Sequence, residues 1–328
     1  MTDLYIPYSV LIFILSLFIS VAALRRIIPW LKSIAKQPIY EGGPTWHLSK
    51  SGTPTMGGIV FIFTFILASV LSLLLLPSLN EKNEVLSVAL LIVFSVLNGA
   101  IGLIDDITKL KRKQNRGLSA LQKLVLQLIL ASVFLTLRAY LFDDGTSISF
   151  FGNEIELGFF YYPFSIILIL GAINCANLTD GIDGLLSSVA FIGGVVMTIL
   201  CLFSNSPYAL ISVSLVGIML AFLFYNIAPA KIFMGDTGSL FIGALIISTV
   251  YSIRQPAYFF SLGAVFIIEG VSVILQVVFY KWKKKRLFLM SPLHHHLEKR
   301  GFSENQICIM AIIFTILCSL PILIYGGI

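Results

Sequence analysis

Ten separate apolar blocks, most of them close to twenty residues long and punctuated by short polar segments, restrict what this chain can fold into. A helix rises about 1.5 Å per residue, so roughly twenty residues match a hydrocarbon layer of ~30 Å. An outer-membrane barrel would instead show alternating segments of about ten residues. Composition agrees with the first reading: 58% of the 328 residues are hydrophobic and 12% charged, against roughly 25% charged in a soluble domain. We read an all-α integral membrane protein, one polytopic domain over 1–328, with spans at 4–24, 56–77, 85–104, 121–142, 161–175, 185–203, 208–225, 240–253, 257–280 and 307–325. The eighth is short unless it begins near Thr237, and the ninth is long enough to tilt or break. The first has no basic region or small-residue cleavage site before it and Arg25-Arg26 after it, which predicts a retained span.

Lysine and arginine set the expected orientation. Of 22 basic residues, all but Lys82, Arg138 and Arg254 follow spans 1, 3, 5, 7 and 9. The positive-inside rule then makes those five loops cytoplasmic and puts both termini outside. The outer segment 143–161, polar and aromatic with glycines at 145 and 152, predicts a small β-hairpin. Cys175, Cys201, Cys308 and Cys318 sit in or beside apolar stretches without a paired spacing and read as small packing residues.

The polar residues that remain concentrate on the inner side. The loop 47–58, HLSKSGTPTMGG, fits either a turn with a helix start or a phosphate-contacting loop led by Lys50. GLIDDITK at 102–109 ends an apolar run in adjacent carboxylates, Asp105 and Asp106, followed by Lys109 and, beyond a basic run, Lys123. Such a run beside a membrane usually meets headgroups, so the two lysines within a turn of a span are the site candidates. NLTDGIDG at 177–184 carries Asp180 and Asp183, and 226–239 carries Asp236 between Gly235 and Gly238. Each could be turn or cap chemistry taken alone. Five Asp with few cations beside two of them repel one another unless a divalent ion sits among them.

Glu269 lies about eleven residues inside the ninth span, where an ionisable group must be paired or wet. Service to the site and structural pairing are both open for it. KWKKKRLF at 281–288 mixes cations with aromatics and belongs at the headgroup level. His294, His295 and His296 point about 100° apart on a helix, a poor single-metal site, so zinc is set aside. Near phosphate oxygens, imidazoles can instead donate hydrogen bonds.

With GTPTMGGI at 52–59, LIDDITK at 103–109, NLTDGIDGL at 177–185, FMGDTGSL at 233–240 and SPLHHHLE at 291–298, the chain resembles the polyprenyl-phosphate N-acetylaminosugar-1-phosphate transferases. The PLHHH form points to the branch that uses phospho-N-acetylmuramoyl-pentapeptide; Leu297 stands where that branch usually has Phe. The resemblance implies a Mg2+-dependent enzyme of the bacterial cytoplasmic membrane with its site on the cytoplasmic side. It would move phospho-MurNAc-pentapeptide from UDP to undecaprenyl phosphate, releasing UMP and lipid I, for peptidoglycan synthesis. Membrane lipids are partners, a homodimer is suggested, and nucleic acid is not expected. It further implies catalytic roles for Asp105, Asp106, Asp236, His294, His295 and His296, with the metal held chiefly by Asp236 and by Asp105. Lys50, Lys109 and Lys123 would contact phosphates, Asn177, Asp180 and Asp183 nucleotide or metal shell, and Asn226, Phe233 and Gly235 the substrate. The sister enzymes that load N-acetylglucosamine phosphate are the alternative. An ion-coupled transporter is the alternative from another class, though it would place binding groups near the midplane in repeated halves, and no repeat is visible.

Overall fold

The computed structural model describes residues 2–35, 50, 52–75, 82–112, 117–150 and 153–326. Most of the first loop (36–49 and 51) and the basic residues Lys113 and Arg116 lie outside them. The chain runs α1 (Thr2–Ile34), α2 (Gly58–Leu75), α3 (Lys82–Arg112), α4 (Ala120–Phe142), β1 (Ser147–Phe150), β2 (Asn153–Glu156), α5 (Tyr161–Thr179), α6 (Leu185–Phe203), α7 (Tyr208–Asn226), α8 (Gly235–Ser252), α9 (Phe259–Leu262), α10 (Ala264–Lys283), α11 (Leu293–Lys299) and α12 (Glu304–Gly326).

Nine helices among the described residues are long and apolar enough to cross a membrane: α1 to α7, α10 and α12. Their outward faces carry exposed Phe18, Leu74, Leu121, Ile167 and Ile274, the pattern of a bundle whose solvent is hydrocarbon. The eighth apolar block behaves differently. It forms α8, which starts at Gly235 rather than near residue 240, and every residue from Thr237 to Ser252 is buried. Helices α2, α3 and α5 pack around it, so α8 meets protein rather than lipid and can carry Thr237, Ser239, Ser248 and Thr249 within its length. α7 is buried over most of its length as well, with Phe222 edge-on to Phe61 of α2 at 4.8 Å between ring centroids.

Two expected spans are reshaped. The third was expected to end at Ile104, with its acidic pair in the following loop; α3 instead continues to Arg112 and carries Asp105, Asp106 and Lys109 on helix. At 31 residues it is about 46 Å long, well beyond a hydrocarbon layer, so its last turns stand clear of the apolar slab. The ninth block breaks as its length suggested: Pro256–Tyr258 forms a 3-10 turn, α9 lasts one turn, and α10 begins after Gly263.

The hairpin between α4 and α5 is present, with Ser147 opposite Glu156 and Phe150 opposite Asn153. An ionic tie fastens the chain beside it. Arg138 of α4, 3% exposed, donates from Nε to Asp144 Oδ2 at 2.5 Å and from Nη1 to Ser87 Oγ at 2.9 Å. Arg254 reaches Asp144 Oδ1 at 3.0 Å, which links the end of α4 to the segment after α8.

Candidate active site

At the other end of α3 the backbone of α8 comes into direct contact. A β-carbon at Gly102 would lie 2.1 Å from the carbonyl oxygen of Asp236, so only glycine lets the two helices approach this closely. Gly235 has φ +71°, and a side chain there would strike Asp106 Oδ2 and Thr55 Oγ1. These two glycines bring the first turn of α8 against the acidic pair of α3.

The residue before α8, Met234, supplies no side-chain cap. Asp106 does so from α3: its Oδ1 accepts from Asp236 N at 3.2 Å, and its Oδ2 accepts from Thr237 N at 2.9 Å and Thr237 Oγ1 at 2.7 Å. A carboxylate among the free N–H groups of a helix start satisfies donors that would otherwise be orphaned. Asp105 accepts at Oδ1 from Leu118 N at 2.7 Å. Leu118 immediately precedes the Ser119–Gln122 capping box that starts α4 and presents Lys123 to the centre.

Asp105, Asp106 and Asp236 each offer one oxygen within 4.8 Å of the others. Two ammonium groups stand against them. Lys109 Nζ lies 2.7 Å from Asp105 Oδ2, 3.1 Å from Asp236 Oδ1 and 3.8 Å from Asp106 Oδ1. Lys123 Nζ lies 2.9 Å from Asp236 Oδ2 and 3.6 Å from Asp105 Oδ1. A cavity of about 560 Å³ opens over this cluster, lined by Asp105, Lys109, Arg112, Lys123, Asn177 and Asp236 among others. Asn177 donates to Ser239 Oγ at 2.7 Å, which fixes it on the cavity wall.

Asp180 faces the cluster from the turn between α5 and α6. Burial, then the carboxylates of Asp236, Asp106 and Asp183, push its pKa well above the ordinary range, with Lys109 opposing. Asp180 and Asp183 do not share a first helical turn: Asp180 closes α5, and α6 begins only at Leu185. Asp183 turns to another group. Lys50 Nζ is 2.7 Å from Asp183 Oδ1 and 2.6 Å from Glu304 Oε1, and Ala230 N donates to Asp183 Oδ2 at 2.8 Å. Lys50 is thus engaged in tying loops together rather than standing over the acidic centre.

Asn226 is buried and braces the same region, accepting from Gly184 N and Ser187 Oγ and donating to Ile232 O. Phe233 serves through its backbone, where its carbonyl accepts from Gly57 N and its N–H donates to Pro54 O. The three histidines take different polar partners, although the rings of His294 and His295 stay edge to face at 4.2 Å between centroids. His294 is fully buried beside Glu269, His295 Nδ1 lies 2.6 Å from Glu298 Oε2, and His296 Nδ1 accepts from Leu289 N at 3.1 Å. Thr237, Leu118 and Glu304 escaped the sequence reading. Leu118 acts through its backbone N–H alone and Thr237 through its N–H as well as its hydroxyl, and Glu304 is an ordinary first-turn acid of α12 until the fold brings Lys50 to it.

Comparison with known proteins gives concordant matches. The model of Glycosyl transferase family 4 matches residues 88–254, and the phospho-N-acetylmuramoyl-pentapeptide-transferase signature 1 matches residues 50–62. A phospho-N-acetylmuramoyl-pentapeptide-transferase of Caldicellulosiruptor bescii is 37% identical over 94% of each chain. Those of Halalkalibacterium halodurans and Clostridium perfringens are 39% and 38% identical, covering 90% of both chains in the first case and 95% and 97% in the second. The motifs that line the acidic centre and the alignment along nearly the whole chain agree: it belongs to the phospho-N-acetylmuramoyl-pentapeptide-transferase family.

Proposed function

We infer that this protein transfers phospho-MurNAc-pentapeptide from its UDP carrier to undecaprenyl phosphate, giving lipid I and UMP for peptidoglycan synthesis. The observation that carries this reading is the meeting of three carboxylates with Lys109 and Lys123 at the end of a helix that overshoots the apolar slab. Transfer between a diphosphate and a phosphate needs alignment and charge neutralisation more than covalent help. An acceptor phosphate with second pKa near ~6 is largely dianionic at neutral pH, so no strong base is required. Its oxygen bonds to the sugar-side phosphorus while the bond to UMP breaks, and UMP leaves with the electron pair. Lys109 and Lys123 would hold the phosphates in line, and Arg112 would extend the positive rim.

An all-oxygen donor set of clustered carboxylates suits Mg2+. Asp106 is committed to capping α8, so Asp105 and Asp236 are the residues that would hold the ion. When bound, it would neutralise charge on the diphosphate. Lys109 and Lys123 now occupy that space, and on loading they would shift from the carboxylates to substrate phosphate.

α8 is read as a tenth span enclosed by the others, with both termini outside, the hairpin external, and the acidic centre on the cytoplasmic side of a bacterial cytoplasmic membrane. This distribution follows from the lysines and arginines. The test is to supply purified protein with UDP-MurNAc-pentapeptide, undecaprenyl phosphate and Mg2+. UMP and a lipid-linked sugar should appear, and chelation should stop the reaction. Transfer from UDP-GlcNAc in place of the muramoyl donor would move the protein to the sister activity.

A further inference from the structure

Glu269 is a carboxylate in the membrane-embedded part of α10, 4% exposed, on a helix whose other faces are apolar and open. Nothing in the proposed transfer uses it. Both of its oxygens accept from the backbone N–H of His294, at 3.2 and 3.3 Å, and Oε2 lies 3.1 Å from the ring Nδ1. The approach to the ring is close but not an aligned hydrogen bond. A lone pair on Nδ1 would face carboxylate lone pairs at that distance, so the favoured form carries its proton on Nδ1. The opposite edge of the ring rests on the turn that bears Asp180 and Asp183. A β-carbon at Gly181 would sit 2.1 Å from Nε2, and among the described residues Nε2 makes no hydrogen bond.

The geometry points to Glu269 as a positioning residue: it fixes the seat and the Nδ1–H tautomer of His294, whose ring holds the 180–184 turn against the acidic centre. This rests on the transferase reading for its kinetic consequence but not for its chemical one. Carboxylates that orient metal-bound histidines matter by about 10- to 100-fold, and the same scale is taken for this pair. Glutamine separates charge from shape. Its oxygen must meet the backbone N–H of His294, which leaves its NH2 group facing Nδ1 and forces the proton onto Nε2.

The protein has four histidines, so 15N-histidine NMR of the detergent-solubilised full chain, with His294→Asn to assign the signal, reads the tautomer directly. Unaltered protein should show Nδ1–H at His294, and Glu269→Gln should show Nε2–H with kcat lowered at least about tenfold. KM for the polyprenyl phosphate should hold, since that acceptor is read as meeting Lys109 and Lys123. Gly181→Ala, which pushes the same ring from the other side, should give the same kinetic pattern. Nε2–H in the unaltered protein overturns the proposal even if Glu269→Gln fails to fold, as does Glu269→Gln with unchanged turnover. Absence of any UMP release from unaltered protein would sink the transferase reading and leave the tautomer to decide this one.

Discussion

Single carboxylates in the acidic centre are not interchangeable, and their partners say how they differ. Asp236 meets two ammonium groups, and Asp105 meets both of them and one backbone N–H, whereas Asp106 accepts three hydrogen bonds from the first turn of α8. Asp236→Asn and Asp105→Asn should therefore fold normally and lose activity by about a hundredfold or more, the scale on which preorganised charge acts. Asp106→Asn keeps only one acceptor oxygen and should in addition lower stability by about 1–2 kcal/mol, as lost caps do. Thermal unfolding beside initial rates separates the two outcomes; equal unfolding of all three variants would contradict the division. Asp180 offers a pH test. Its folded pKa is raised, so its contribution to stability is complete below the ordinary carboxylate range and is lost as pH rises through the raised value. In chelator, Asp180→Asn should unfold at a higher temperature than the unaltered protein at pH 8, and the difference should shrink toward pH 4.

Helices meet here through small residues and shared charges, which makes some substitutions at their contacts severe. Gly102→Ala forces a methyl group onto the Asp236 carbonyl of α8 and should cost about 3 kcal/mol, the upper end for overpacking, while also lowering turnover. Unchanged melting would mean that the two helices do not touch as described. At the opposite end, Arg138→Ala would leave Asp144, among the described residues, with the exposed Arg254 as its remaining ion partner and should destabilise by about 3 kcal/mol with little effect on KM. The apolar blocks were legible because hydrocarbon sets their length, and the break before α10 was legible because that block exceeded it. The extension of α3 to Arg112 was not: once a helix leaves the apolar slab, hydropathy stops reporting on it, so Asp105 and Asp106 looked like loop residues. The ion partners of Lys50 were not legible for a similar reason, since Asp183 and Glu304 lie 133 and 254 positions away and only the fold unites them.

Lysines and arginines gather in alternate loops between the apolar blocks, and the positive-inside rule would place those loops in the cytoplasm. A lone reporter introduced as Lys284→Cys, in a chain whose own cysteines have been replaced, should react with membrane-impermeant thiol reagents only after cells are opened. Reaction in intact cells would invert the molecule and move the acidic centre outside. The geometry of the centre comes from α3, α4, α5 and α8 together, while α11 and α12 bring in the histidines and Glu304, so the candidate site is assembled from both halves of the chain.

Enclosure of α8 has a practical consequence for handling the protein outside a membrane. A helix that never touches lipid does not depend on lipid to keep its place, so stripping the bilayer should loosen the outer helices first and leave the acidic centre standing. In hydrogen–deuterium exchange during progressive delipidation, the amides of 240–250 should be the last to exchange. Binding of a water-soluble nucleotide should then outlast transfer to a lipid acceptor, because the acceptor's tail needs the surface that detergent disturbs while Asp236 rests on a helix enclosed by protein and Asp106 is bonded to that helix's first turn.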